Sequence, residues 1–227
     1  MNIGAFTGRA EAYVKARPGY PKEAMEYIRT IVPQDAVFAD IGAGTGKFTE
    51  LLAQYGYKIF AVEPNADMRE QLVITLKPFN NIEIVDGTAE ATTLSENSVD
   101  VIISAQVLNR VDINGFQVEC QRIGKASPIV ITLFNGGNEL GSRYKKSTSA
   151  FYKNPIIQKF SNPQFYTRDM WHLYFMSMEG VPLPSDNGYE EWTAELNEKF
   201  DKESADGILR LDEITYVFSE RLEWVKT

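Results

Sequence analysis

Gly42, Gly44 and Gly46 follow directly on the apolar run 37–41, and the spacing of Phe48, Leu51, Leu52 and Tyr55 then reads as a helix. A strand, a glycine turn and a helix N-terminus make a ligand cradle. Glycines let a bound molecule approach the backbone closely, and the first helical turn offers free N–H groups and partial positive charge. The spacing is G-x-G-x-G, not the G-x-G-x-x-G of a dinucleotide site. Asp40 stands two residues before the first glycine. A carboxylate there disfavours a pyrophosphate and suits a cationic ligand, through its ammonium or its sulfonium. Glu63 closes the next apolar run about twenty residues on, where a carboxylate can accept hydrogen bonds from two ribose hydroxyls. That feature is shared with NAD enzymes and does not discriminate; the glycine spacing with Asp40 does. Asp86-Gly87-Thr88-Ala89-Glu90 is a third polar turn. Alone it reads equally well as a plain turn; beside the other two it could bracket an adenine edge.

The elements that must position these turns alternate. Residues 7–20 read as a short helix stopped at Arg17-Pro18-Gly19-Tyr20-Pro21, because proline cannot continue a helix. A second helix spans about 22–31. Strands at 37–41, 58–63, 82–85, 99–105 and 129–134 interleave with helices, including 66–76 and 116–123. That rhythm predicts an α/β fold with a doubly wound, mostly parallel sheet. Its strands read as apolar runs because both faces are covered. Ligands of such sheets bind at the carboxyl ends of the strands, at the topological switch point. After Phe134 the rhythm changes: helices at 139–152, 167–178 and 189–203, a strand at 156–161, and strand material at 208–211 and 214–222. The expected organisation is one domain, 1–227. It has an N-terminal helical lid (1–32), a ligand-binding core (33–137), a helical cap or substrate region inserted after the fifth strand (138–205), and C-terminal strands (206–227) completing a seven-stranded sheet.

A net charge of −8, with no Lys/Arg cluster, argues against a nucleic-acid partner, since a phosphate backbone needs many cationic contacts. Cys120 and His172 are the only cysteine and histidine, so no disulfide, cysteine-zinc or multi-histidine metal site is expected. The first twenty residues lack the apolar segment of a secretory signal, and no run approaches the roughly 18 apolar residues of a membrane span. The default expectation is a cytoplasmic protein without a membrane partner, as a monomer or homodimer. Many of the aromatic residues fall in the last third, which suggests an aromatic-lined pocket or interface there.

Taken together, Asp40-Ile41-Gly42-Ala43-Gly44-Thr45-Gly46, Val62-Glu63-Pro64-Asn65-Ala66-Asp67-Met68 and Gly87-Thr88-Ala89-Glu90 resemble the methyltransferase type 11 group of class I S-adenosylmethionine-dependent enzymes. The head, Tyr13-Val14-Lys15-Ala16-Arg17-Pro18-Gly19-Tyr20-Pro21, resembles the trans-aconitate methyltransferase-like subgroup. So does the tail, through Asp206–Leu211 and Thr215-Tyr216-Val217. The resemblance implies a Rossmann-like class I methyltransferase fold and S-adenosylmethionine as cofactor, with S-adenosylhomocysteine as product. It implies that Asp40 and the backbone of Gly42, Ala43, Gly44 and Gly46 hold the amino acid end. Glu63, beside Pro64, would hold the ribose, Met68 would pack on the adenine, and Thr88, Ala89 and Glu90 would flank its other edge. Tyr13 and Arg17 would close over the carboxylate, and Gln106 would lie beside the methionine moiety. One departure is clear. The subgroup often reads Gln-x-x-His-Trp after its fourth strand; this chain reads Gln106-Val107-Leu108-Asn109-Arg110. Asn109 cannot take a proton near neutral pH, which weakens acid–base catalysis at that position.

The expected acceptor is a small molecule. Candidates for touching it are Asn109, Arg110, which would suit an anion, Tyr20 and His172; Glu90 is a further candidate base. Three other readings stay open: an oxidoreductase on a related sheet, a cofactor-binding protein without transfer, and a methyltransferase acting on a protein.

Overall fold

In the computed structural model, which describes residues 3–223, the apolar runs become strands and the amphipathic runs helices. Residues 1–2 of the expected N-terminal lid and 224–227 of the expected C-terminal segment lie outside the described residues. The helices are α1 (Ala10–Ala16), α2 (Lys22–Ile31), α3 (Lys47–Ala53), α4 (Ala66–Leu76), α5 (Ile113–Ile123), α6 (Ser142–Phe151), α7 (Arg168–Met176) and α8 (Tyr189–Glu203). The strands are β1 (Val37–Ile41), β2 (Lys58–Val62), β3 (Ile82–Val85), β4 (Val99–Ala105), β5 (Gly124–Gly136), β6 (Ile156–Ser161), β7 (Gln164–Tyr166), β8 (Leu209–Leu211) and β9 (Ile214–Arg221).

Seven strands form one sheet in the order β3-β2-β1-β4-β5-β9-β6. Neighbours from β3 through β5 pair in parallel, and β9 runs antiparallel to both β5 and β6. The expected seven-stranded, mostly parallel sheet is therefore present, with one difference in its membership. Strand 208–211 does not complete it: β8 is short, turns at Asp212-Glu213, and pairs with β7 in a separate two-stranded sheet. The outermost strand is β6, from the region expected to be cap. It lies along β9 from Ile156↔Ser219 to Ser161↔Ile214 and supplies that buried strand with its second edge.

Successive strand residues face opposite sides of a sheet, and both sides here are apolar. On one side Phe38, Ile59, Val101 and Ile103 pack with Met25 and Ile28 of α2 and Leu52 of α3. On the other, Ile41, Ile102, Val130 and Phe134 pack with Phe116 and Ile123 of α5 and Phe151 of α6. Each large apolar side chain so buried stabilises the fold by about 1.5–3 kcal/mol. A separate cluster of Tyr166, Trp171, Leu196, Phe200 and Leu209 joins α7, α8 and the small sheet into a cap. Of the aromatic residues in the last third, Tyr166, Trp171 and Phe200 are buried in this core, and Tyr174, Phe175 and Trp192 pack against it.

The order reverses between β1 and β4, so the chain leaves those two neighbours in opposite directions and opens a crevice at their carboxyl ends. The N-terminal segment covers it, with Tyr13, Arg17 and Tyr20 among the lining residues. Helix α1 ends at Arg17, whose extended backbone (φ −69°, ψ 139°) suits the residue before a proline. At the other end of α1, the Arg9 guanidinium donates to the carbonyls of Met176 (2.8 Å) and Val181 (2.7 Å) just past α7. Arg9→Ala removes this strap. Charged hydrogen bonds contribute about 1.5–3 kcal/mol, so amide exchange along α1 and the end of α7 should speed up while the sheet keeps its protection. Unchanged exchange would mean that apolar packing alone docks the lid.

Candidate functional site

The glycine turn is built from three left-handed glycines, Gly42 (φ 71°), Gly44 (φ 59°) and Gly46 (φ 90°). Its first two N–H groups, of Gly42 and Ala43, both donate to the Val62 carbonyl (2.8 and 3.0 Å), tying β1 to the end of β2. The next N–H, of Gly44, donates to Glu63 Oε2 (2.8 Å), while Asn65 N–H donates to Glu63 Oε1 (2.9 Å). The Glu63 carboxylate therefore joins two turns, with lone pairs left on each oxygen. Burial pushes its pKa up, against the pull of those two backbone donors. Arg69 steadies the position, donating to the Glu63 carbonyl (2.9 Å) and to Asp86 (2.9 Å). Asn65 caps α4 by accepting from Met68 N–H (3.0 Å), which sets Met68 against the crevice.

Asp40 is 1% exposed. Its Oδ2 accepts from Thr49 Oγ1 (2.6 Å), and its Oδ1 has no partner among the described residues. Burial raises its pKa to about 7, partly offset by the Thr49 bond and reinforced by Glu63. Across the crevice Gln106 holds a left-handed backbone (φ 65°), a conformation that costs a non-glycine residue energy and marks functional sites. Its amide is fixed at both ends: the Tyr144 hydroxyl donates to Oε1 (3.1 Å), and Nε2 donates to the Asn135 carbonyl (3.4 Å).

Two adjoining compartments result. The smaller, about 130 Å³, is lined by Glu63, Pro64, Asn65 and Met68 beside Gly42 and Gly44. The larger, about 360 Å³, is lined by Asp40, Ala43, Thr45, Lys47 and Tyr20, and by Tyr174 and Glu213 from the cap side. Tyr13, Gln106 and Arg110 face both. The Arg17 guanidinium lies between the rings of Tyr13 (5.2 Å) and Tyr174 (5.5 Å). Lys47 Nζ donates to the Arg17 carbonyl (2.8 Å), holding the end of the lid on the glycine turn.

Of the residues singled out from the sequence, the structure brings Tyr13, Arg17, Tyr20, Asp40, Gly42, Ala43, Gly44, Glu63, Pro64, Met68, Gln106 and Arg110 together around this cleft; Gly46 lines neither compartment and backs onto Leu72 and Thr75 of α4. It does not bring Thr88, Ala89 and Glu90 to the lining of either compartment. Thr88 pairs with Ala91, Ala89 is in the core, and Glu90 accepts from Asp112 N–H (2.9 Å) at the start of α5. His172 lies apart as well, its Nε2 2.9 Å from Asn197 Oδ1 of α8. Asn109 lines neither compartment, and its buried Oδ1 has no partner among the described residues. Arg110 is not a free cation for an anionic acceptor: it is bonded to Glu179 (2.6 Å) and lies over the Phe6 ring (4.8 Å). Burial pushes the Tyr20 hydroxyl well above its ordinary range, so it stays protonated. Sequence reasoning missed Tyr144, Tyr174, Glu179 and Glu213, which come from the second half of the chain and carry no local motif. Asn135 could have been found, because it is the next-to-last residue of β5, at the carboxyl rim.

Among the described residues no cluster of His, Cys, Asp and Glu is placed to hold a metal ion, and no helix is long and apolar enough to cross a membrane.

The sheet order, its single antiparallel strand and the cleft at the β1/β4 switch define the class I methyltransferase fold. Residues 39–131 match the methyltransferase domain family. An uncharacterised methyltransferase of Mycobacterium tuberculosis is 32% identical over 141 residues, covering 62% of this chain and 51% of that protein. The chain thus spans about half the length of that curated relative. A putative type II methyltransferase of Anaeromyxobacter dehalogenans shares the fold at a TM-score of 0.67 and 18% identity, over 90% of this chain and 97% of its own. Geranyl diphosphate C-methyltransferase of Streptomyces coelicolor, solved with Mg2+, geranyl diphosphate and S-adenosylhomocysteine, aligns at 0.51 and 10%, over 89% and 77%.

Proposed function

We propose that the protein is an S-adenosylmethionine-dependent methyltransferase acting on a small molecule. The observation that carries the reading is the buried, unpartnered Oδ1 of Asp40 beside three left-handed glycines. A buried polar atom left without a partner is rare and calls for a ligand, and this one suits the ammonium of an amino acid. Arg17, whose Nε is likewise unpartnered, suits the carboxylate at the other end. Glu63 suits the ribose hydroxyls and Met68 the adenine face. The residues present therefore fit S-adenosylmethionine, which when bound supplies an electrophilic methyl group.

The protein's own part is to bind, orient and exclude water. Holding two reactants in line can lower a barrier by about 7–11 kcal/mol, and the Arg9 strap and the Lys47–Arg17 contact keep the lid where it would do so. A small acceptor is supported by the size of the larger compartment, about 360 Å³, beside the glycine turn. The head and tail motifs support the trans-aconitate methyltransferase-like subgroup; with Asn109 in place of its histidine, they do not carry over an acceptor.

The test is incubation with methyl-labelled S-adenosylmethionine and a cell extract split by size. Label in the low-mass fraction is expected. Label on protein would overturn the small-molecule part, and binding without any transfer would leave a cofactor-binding protein.

A further inference from the structure

Eight buried side-chain polar atoms lack a partner among the described residues, and four belong to residues lining the larger compartment: Arg17 Nε, Asp40 Oδ1, Thr45 Oγ1 and Glu213 Oε2. Native proteins leave few such atoms, and each needs an explanation. Three of the four belong to the glycine turn and the lid end resting on it, where the amino acid end of the cofactor is assigned. Glu213 does not. It sits in the turn between β8 and β9, where its backbone accepts from Asn162 N–H (2.8 Å) and donates to the Leu211 carbonyl (3.0 Å). Its side chain comes from the wall formed by the cap.

Three of the polar groups lining that compartment are already used, whereas the Tyr174 hydroxyl and the exposed Arg143 guanidinium make no side-chain hydrogen bond among the described residues. The Tyr144 hydroxyl is spent on Gln106, Arg110 on Glu179, and Asn135 donates to the Gly19 carbonyl (3.1 Å) and accepts from Thr215 (2.6 Å). Glu213 is left as a carboxyl group among aromatic rings. Burial raises its pKa, and the positive charge of Arg17 opposes that rise. Its own charge in turn helps hold the Tyr174 hydroxyl up at about 12, second to burial. Tyr174 is therefore a donor, not a competing base.

We infer that Glu213 binds the acceptor through an N–H or O–H on its reacting atom, so that the acceptor is an amine or a hydroxyl compound, not a carboxylate. This rests on the methyl-transfer reading. A carboxylate acceptor needs no base and would meet a like charge at Glu213. An amine or alcohol must lose a proton. That N–H or O–H bond breaks, its electron pair stays on the nitrogen or oxygen, and the proton passes to Glu213 Oε2.

The experiment is equilibrium binding to the protein loaded with S-adenosylhomocysteine. The probes are phenethylamine, 2-phenylethanol and 3-phenylpropionate, which place an ammonium, a hydroxyl and a carboxylate on one ring matched to the aromatic lining. The amine or the alcohol should bind more tightly than the carboxylate; which of the two leads tells nitrogen from oxygen acceptors. Glu213→Gln should weaken that probe about tenfold or more, the size of a lost hydrogen bond to a charged group. Preference for 3-phenylpropionate, binding of none of the three, or an unaltered order in Glu213→Gln overturns the inference. Failure of the wild type to bind S-adenosylhomocysteine at all is a different result: it removes the methyl-transfer reading itself.

Discussion

An Asp40→Asn variant is expected to be more stable than the wild type at about pH 8 and to bind S-adenosylhomocysteine at least tenfold more weakly, a loss typical of hydrogen bonds to charged groups. The two effects have one origin. In the folded protein the Asp40 carboxyl titrates at about 7, chiefly because it is buried, against an ordinary value of 3.8. A raised carboxyl pKa means that the folded state binds the proton more tightly than the unfolded chain. Stability is then highest below the ordinary value, falls as pH rises through the interval between the two, and stays low above about 7. The full penalty of keeping Asp40 ionised is about 4 kcal/mol as an upper bound. Asparagine removes the charge and can still accept the Thr49 hydroxyl bond. Thermal melts of the ligand-free proteins at about pH 4 and pH 8 should differ little in acid and separate by several degrees in base, at about 2–4 °C per kcal/mol. A gap of equal size at both pH values would contradict the assignment. So would undiminished binding by the variant, because the charge is retained at a cost only if a ligand uses it.

Gly42→Ala should be the most disruptive single methyl in the site. Two costs coincide there. The residue sits at φ 71°, and left-handed backbone costs a side-chain-bearing residue about 1–2 kcal/mol. The added carbon would also lie 2.6 Å from Val107 Cγ2, and overpacking of this kind costs about 1–3 kcal/mol. Val107 has little room: it is 7% exposed and follows Gln106, whose backbone is itself strained. The melting temperature should fall by about 5–15 °C. Adding Val107→Ala should recover the steric part and leave the conformational part. Gly44→Ala makes the useful contrast. Its new carbon would meet nothing closer than the Gly42 carbonyl oxygen at 4.0 Å, so its φ of 59° is the cost to the fold, and the methyl projects where a ligand must approach. Melting of Gly42→Ala within a degree or so of the wild type would show that the β1/β4 crevice is looser than the structure describes.

The core of the fold was legible because its signals are local. Apolar runs such as Val101-Ile102-Ile103 can be buried on both faces only as central strands, and the proline after Arg17 stops α1 where it stands. The glycine-turn half of the cleft was legible for the same reason: Asp40 in β1, the three glycines after it and Glu63 just past β2 lie at the carboxyl ends of paired neighbouring strands. The second half was read less well. That β6 rather than β8 joins the main sheet is decided by which strand β9 meets across more than fifty residues of chain. Glu213 and Tyr174 reach the cleft through the packing of the cap, which no short motif records. Arg110 looked available in the sequence because its partner, Glu179, lies 69 positions away. Glu90 is the converse case: a carboxylate in a polar turn that accepts from the backbone N–H of Asp112 and lines neither compartment.

The central claim is that the cleft at the β1/β4 switch is built for S-adenosylmethionine and not for a dinucleotide. The most direct measurement is calorimetric titration of the wild type and Glu63→Ala with S-adenosylmethionine, S-adenosylhomocysteine and NAD. Micromolar binding of the first two, no binding of NAD, and a loss of about tenfold or more in Glu63→Ala are expected. Binding of NAD in their place, or binding of neither class, would contradict the claim and leave a doubly wound sheet with a glycine turn whose ligand is something else.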